Sequence, residues 1–127
     1  MKKILLILLL TIPFIGFGQT AEEYFDKGFD YAKSGQYQLA IDNYTKCLRI
    51  DPDYAHAYYN RGLSYIKSKN YEDAIADFTR AISIDPDHAD TYNNRGAAKW
   101  YLKLEYCSDF KRACDLGSCD NYNNFCK

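Results

Sequence analysis

Cysteine, histidine and aspartate are the residue types through which this chain could do chemistry, and their spacing narrows what that chemistry is. Cys107, Cys114, Cys119 and Cys126 crowd the C-terminal end, while Cys47 stands alone. Structural zinc sites hold their ligands about two to four residues apart within each pair, and the intervals here are wider. A thioredoxin-like redox pair needs Cys-x-x-Cys, which is absent. Disulfides are therefore expected. Cys107 and Cys114 are seven apart, as are Cys119 and Cys126 beyond the Gly117-Ser118 break. If the tail folds back as a short antiparallel helix, equal spacings set Cys114 opposite Cys119 and Cys107 opposite Cys126. That nested pairing is preferred, although four cysteines allow three connectivities and sequence alone does not choose among them. Cys47 reads as an inert packed thiol.

Catalysis finds less support. A hydrolase or transferase needs a nucleophile with a base, or paired carboxylates in a pocket. His56 and His88 are the only histidines, and each reads as a surface residue, His88 beside Asp85 and Asp87 included. Asp51-x-Asp53 and Asp85-x-Asp87 suggest a calcium loop, but the glycine and distal glutamate of that motif are missing. No enzyme, metal or cofactor is expected.

The elements that carry these residues repeat. Gly28, Gly62 and Gly96 lie 34 residues apart, and Tyr24, Tyr58 and Tyr92 precede them by four. Tyr31 pairs with Tyr65, Ala40 with Ala74, Tyr44 with Phe78, and Ile50-Asp51-Pro52-Asp53 with Ile84-Asp85-Pro86-Asp87. A fixed period of this length marks a stacked solenoid, in which each unit buries its apolar face only against its neighbours. Tyr24, Gly28 and Tyr31 share one helical face, as do Ala40, Tyr44 and Cys47. A glycine inside a helix costs roughly 1 kcal/mol, so three at one phase indicate a packing need, read here as close approach of two helix backbones. Ser34-Gly35 and Ser68-Lys69-Asn70 read as the turn inside each pair, and the Asp-Pro-Asp segments as the break between pairs. Helices are predicted over 21–34, 37–50, 55–68, 71–84, 89–102 and 105–116. The third unit departs from the pattern: Gly96 to Phe110 is two residues shorter than Gly62 to Phe78, Lys99 replaces the tyrosine, and Tyr106 falls where Ala40 and Ala74 fell. A shorter turn before the last helix is predicted, with this unit acting as a cap.

These positions resemble the tetratricopeptide repeat family. The second unit reads Tyr58, Gly62, Tyr65, Ala74, Phe78, Ala81, Pro86, and the first reads Tyr24, Gly28, Tyr31, Ala40, Tyr44, Cys47, Pro52. The resemblance implies an all-α, right-handed superhelix of three helix-turn-helix pairs over 21–54, 55–88 and 89–117, with a cap over 118–127. The segment Ala113-Cys114-Asp115-Leu116-Gly117 is also similar to cysteine-rich Sel1-like exported repeats, whose helices are stapled pairwise.

Residues 1–18 read as a signal peptide: Lys2-Lys3, an apolar core from Ile4 to Phe17, and a small-x-small ending at Gly16-Phe17-Gly18. The apolar run contains Pro13 and is shorter than the ~20 residues of a spanning helix. Cleavage after Gly18 or Gln19 would release an exported protein, periplasmic or secreted, whose membrane contact is only transient. The formal net charge of −1 gives no push toward nucleic acid or an anionic surface.

Within the family the first helix of each pair lines the concave face. Its free positions here hold Phe25, Phe29, Tyr59, Leu63, Trp100 and Tyr101, edged by Asn60, Asn93 and Asn94. Aromatic residues flanked by amides suit a protein partner, taken as an extended peptide or an amphipathic helix, and not a small-molecule substrate. The blander alternative is that some of them only touch neighbouring repeats or the tail. The family's carboxylate clamp would fall on Phe25, Phe29, Asn60, Asp90 and Asn94, of which only Asn60 matches, so a chaperone's carboxyl tail is not the expected ligand. A structural part of an envelope or secreted assembly, without a discrete peptide ligand, is the second functional reading.

Overall fold

In a computed structural model, which describes residues 18–127, the chain is helical throughout its regular structure. The predicted export signal lies, apart from Gly18, outside the described residues. Three helix pairs follow in order: α1 (Ala21–Lys33) with α2 (Tyr37–Ile50), α3 (Ala55–Lys67) with α4 (Tyr71–Ile84), and α5 (Ala89–Tyr101) with α6 (Cys107–Asp115). A short α7 (Asp120–Phe125) closes the chain. Each pair packs on the next through α2 against α3 and α4 against α5. The first helices also touch across units, α1 on α3 and α3 on α5. That one-sided contact curves the array toward them and makes their outer flank the concave face. Among the described residues no helix is long and apolar enough to cross a membrane.

The repeated small residues serve rings, not backbones. A Cβ on Gly28 would lie 2.8 Å from the Tyr44 ring, on Gly62 2.7 Å from Phe78, and on Gly96 2.6 Å from Phe110. Each glycine is thus the socket for the central aromatic of its partner helix, which corrects the backbone-approach reading. Tyr44 and Phe78 are fully buried and Phe110 nearly so.

The turns share one geometry. Gly35, Lys69 and Lys103, again 34 apart, take left-handed φ of 77°, 60° and 57°. In each, the residue after it donates its backbone N–H to the carbonyl five positions back: Gln36 to Tyr31, Asn70 to Tyr65, Leu104 to Lys99. This satisfies the helix's last carbonyls. The third connection is longer, not shorter as predicted. It runs over 102–106, against 34–36 and 68–70. The missing residues come from the first turn of α6, which begins only three residues before Phe110, whereas α2 begins seven before Tyr44. Glu105 stops the helix from starting earlier: its carboxylate accepts from the Ser108 N–H at 2.9 Å and from its hydroxyl at 2.6 Å. Those bonds hold its carboxyl below the usual range.

At the end of the chain Cys107 is bonded to Cys126 and Cys114 to Cys119, tying α7 to α6, while Cys47 is a buried free thiol. Asp51 and Asp85 spend their carboxylates on the N–H groups of Asp53 and Asp87, at 3.1 and 3.3 Å, as turn-forming acceptors.

Candidate functional site

Position along α1, α3 and α5 decides which inner-face residues remain available. Phe29, Trp100 and Tyr101 are 44, 47 and 55 % exposed. Phe25 is not free as predicted: it stacks on Tyr54 with centroids 5.2 Å apart and lies 5.6 Å from the Tyr44 ring. Tyr59 sits 6.0 Å from Phe78 and meets His88 edge-on at 5.0 Å. Leu63 packs on the cluster of Ala74, Phe78 and Ala98. These three act as lids over the rings beneath them, because a long side chain at that helical phase lies back across its own groove. His88 is correspondingly half-buried, with Nδ1 2.7 Å from the Thr91 hydroxyl.

The amides divide in the same way. Asn60 donates to the His56 carbonyl of its own helix at 2.8 Å. Asn94 donates to the Asp90 carbonyl at 2.8 Å and reaches the Tyr59 hydroxyl at 3.3 Å. Burial, and then the nearby Asp90 carboxylate, push the Tyr59 hydroxyl pKa up. Asn93 is taken by the tail: it donates to Ser118 at 2.8 Å and accepts from Asn121 at 3.2 Å. What the face offers a ligand is therefore two apolar zones. One is a hollow of about 240 Å³ between units one and two, with Phe29 and Leu63 inside and Lys33 and Lys67 on its rim. The other surrounds Trp100 and Tyr101, where Tyr101 also stacks on Tyr71 at 4.5 Å.

A larger cavity, about 510 Å³, opens at the first unit's outer edge among Tyr24, Lys27, Tyr31, Asn43 and Lys46. It is the face that the preceding helix covers in later units. There Arg61 is bidentate to Asp77, both bonds at 2.7 Å, and donates to Thr45 at 3.1 Å. Arg95 repeats this with Asp109 at 2.9 and 2.7 Å and with Thr79 at 3.1 Å. Each arginine joins the two helices of its unit to the unit before. Lys99, in place of the repeated tyrosine, adds a 3.0 Å bridge to Asp109. Burial raises the Asp77 carboxyl even against the pull of Arg61. These staples tie α3 to α2 and α4, and α5 to α4 and α6, and their sequence signal is the spacing of Arg61/Arg95 and Thr45/Thr79 by 34 residues.

A family profile described as tetratricopeptide repeat matches residues 55–88, and one described as TPR repeat matches 28–69. No curated protein sequence matches the chain. The second TPR of Spaghetti (RPAP3), solved bound to the HSP90 peptide SRMEEVD, is 35 % identical with a TM-score of 0.74, over 77 % of this chain and 93 % of its own. The second TPR domain of human RPAP3, solved with the HSP70 peptide SGPTIEEVD, is 32 % identical with a TM-score of 0.74, over 76 and 82 %. MamA is 30 % identical with a TM-score of 0.75, over 76 and 58 %.

Proposed function

Because the chain belongs to the tetratricopeptide repeat family, we propose that it is a non-catalytic scaffold that holds a peptide or helix of a partner protein on its concave face, outside the cytoplasm. The observation that carries this is the half-exposure of Phe29, Trp100 and Tyr101 on the inner helices. Exposed aromatics of this size in a curved array are the residue types that anchor partners. Relatives solved with peptides support the mode of binding. They do not supply the ligand, since of the positions matching the family's carboxylate clamp, Phe25, Phe29, Asn60, Asp90 and Asn94, only Asn60 keeps the clamp residue. Two disulfides in so short a tail favour an oxidising compartment.

The test is affinity capture from the native source with the unaltered protein, Phe29→Ala and Trp100→Ala. Truncating a central aromatic anchor costs ~2 kcal/mol or more, so each variant should lose partners while its helicity is retained. The chain recovered from that source should begin at Gln19 or Thr20. Partners that persist in both variants would move the structural-assembly reading ahead.

A further inference from the structure

Each central ring of the array carries a second ring. Phe25 lies on Tyr44 at 5.6 Å and Tyr59 on Phe78 at 6.0 Å. The third unit has Asn93 at that position, so its own first helix supplies no ring for Phe110. Two other segments supply rings instead: Tyr106 before α6 lies 5.5 Å from Phe110, and Phe125 of α7 lies 6.1 Å from it. Because it arrives from the far side and stays 53 % exposed, Phe125 leaves a hollow of about 250 Å³ between itself and Trp100, lined also by Ala97, Tyr101 and Asn121.

We propose that this hollow is an anchor site for one uncharged aromatic side chain of the partner segment, an assignment that rests on the concave face being the binding face. Three features select that occupant. No charged group lines the hollow, so a buried charge there would stay unpaired. Its one amide side chain, Asn121, already donates to Asn93. Its rings, Trp100, Tyr101, Phe110 and Phe125, offer an incoming aromatic edge-on contacts of the kind already seen between Trp100 and Tyr101 at 5.0 Å. Size agrees, since a dry cavity of ~150 Å³ already takes up benzene. The far wall is covalently held: Cys126, next to Phe125, is bonded to Cys107. The site is therefore complete only while the tail is oxidised.

The test is an NMR titration of the disulfide-intact protein with N-acetyl-phenylalaninamide and, in parallel, N-acetyl-lysinamide. The aromatic amide should give saturable shifts at the Trp100 indole and at the amides of Ala97, Asn121 and Phe125, with a dissociation constant on the order of millimolar. The lysine amide should give none. Ala97→Leu, which fills the hollow from the α5 side and leaves the Cys107–Cys126 bond in place, should weaken binding about tenfold, as should reduction of the disulfides. Equal response to both amides, or unchanged binding in Ala97→Leu or in reduced protein, would overturn the proposal. So would protein-concentration-dependent shifts at Trp100 that block the probe, because they assign the hollow to a second copy. If the probes fail while capture of partners still depends on Phe29, only the anchor site falls. If the probes bind while capture ignores Phe29, the groove reading falls instead.

Discussion

Tyr44 fills the socket over Gly28 as Phe78 and Phe110 fill theirs, but it carries a hydroxyl with no hydrogen-bond partner among the described residues. A buried polar group left unpaired costs ~1–3 kcal/mol. Tyr44→Phe is therefore expected to stabilise the protein by about 1 kcal/mol or more in urea unfolding, and it installs the residue the other two units use. The same burial, aided by Asp30, pushes the Tyr44 pKa from 10.0 up to about 12. A folded pKa above the unfolded one means that stability does not depend on this group's titration below pH 10 and falls as pH rises from 10.0 toward about 12, by roughly 1.4 kcal/mol per pH unit. Two such units correspond to about 2–3 kcal/mol. Tyr44→Phe should remove that alkaline loss. It should leave the window between 9.0 and about 11 set by Cys47, whose thiol is raised by burial and then by Asp51.

Between elements, Arg61 joins α3 to α4 and α2 through one guanidinium, with side chains of the Arg61–Asp77 pair only 18 and 7 % exposed. Removing one member of a buried pair strands the other charge at ~3–5 kcal/mol, whereas replacing both by apolar groups is often neutral. Chemical denaturation should show Arg61→Ala destabilised by about that amount and Arg61→Met with Asp77→Leu much closer to the unaltered protein. Equal losses in both would mean that packing, not charge, sets the cost. The helices themselves were legible from glycine and tyrosine phases, because a helical face constrains residue type every three or four positions. The third connection was not. A count of residues does not say whether a deletion shortens a loop or a helix, and here the decision lies with the Glu105–Ser108 bonds. The inner face was legible as a list of positions. Its division into lids, Phe25, Tyr59 and Leu63, and free anchors, Phe29, Trp100 and Tyr101, was not, since it depends on which ring lies beneath each side chain.

Across the whole molecule the two ends differ. At the first, Lys27 and Asn43 occupy the places of the stapling arginines and aspartates and line the cavity of about 510 Å³. At the last, Lys111 stands where Thr45 and Thr79 accept an arginine from the following unit, and it pairs with Asp115 instead. Beyond it α7 packs on α6 under two disulfides. Phe29, Trp100 and Tyr101 stand exposed on the inner helices, and the proposed partner binding rests on them. Photo-crosslinking tests it residue by residue. p-Benzoylphenylalanine placed at Phe29, at Trp100, or on the convex side at the exposed Ile50 should be irradiated in the native source and the adducts mapped by mass spectrometry. The expected result is one partner joined from both Phe29 and Trp100 through neighbouring stretches of a single segment, with none from Ile50; adducts from Ile50 but not from the two inner positions would contradict it.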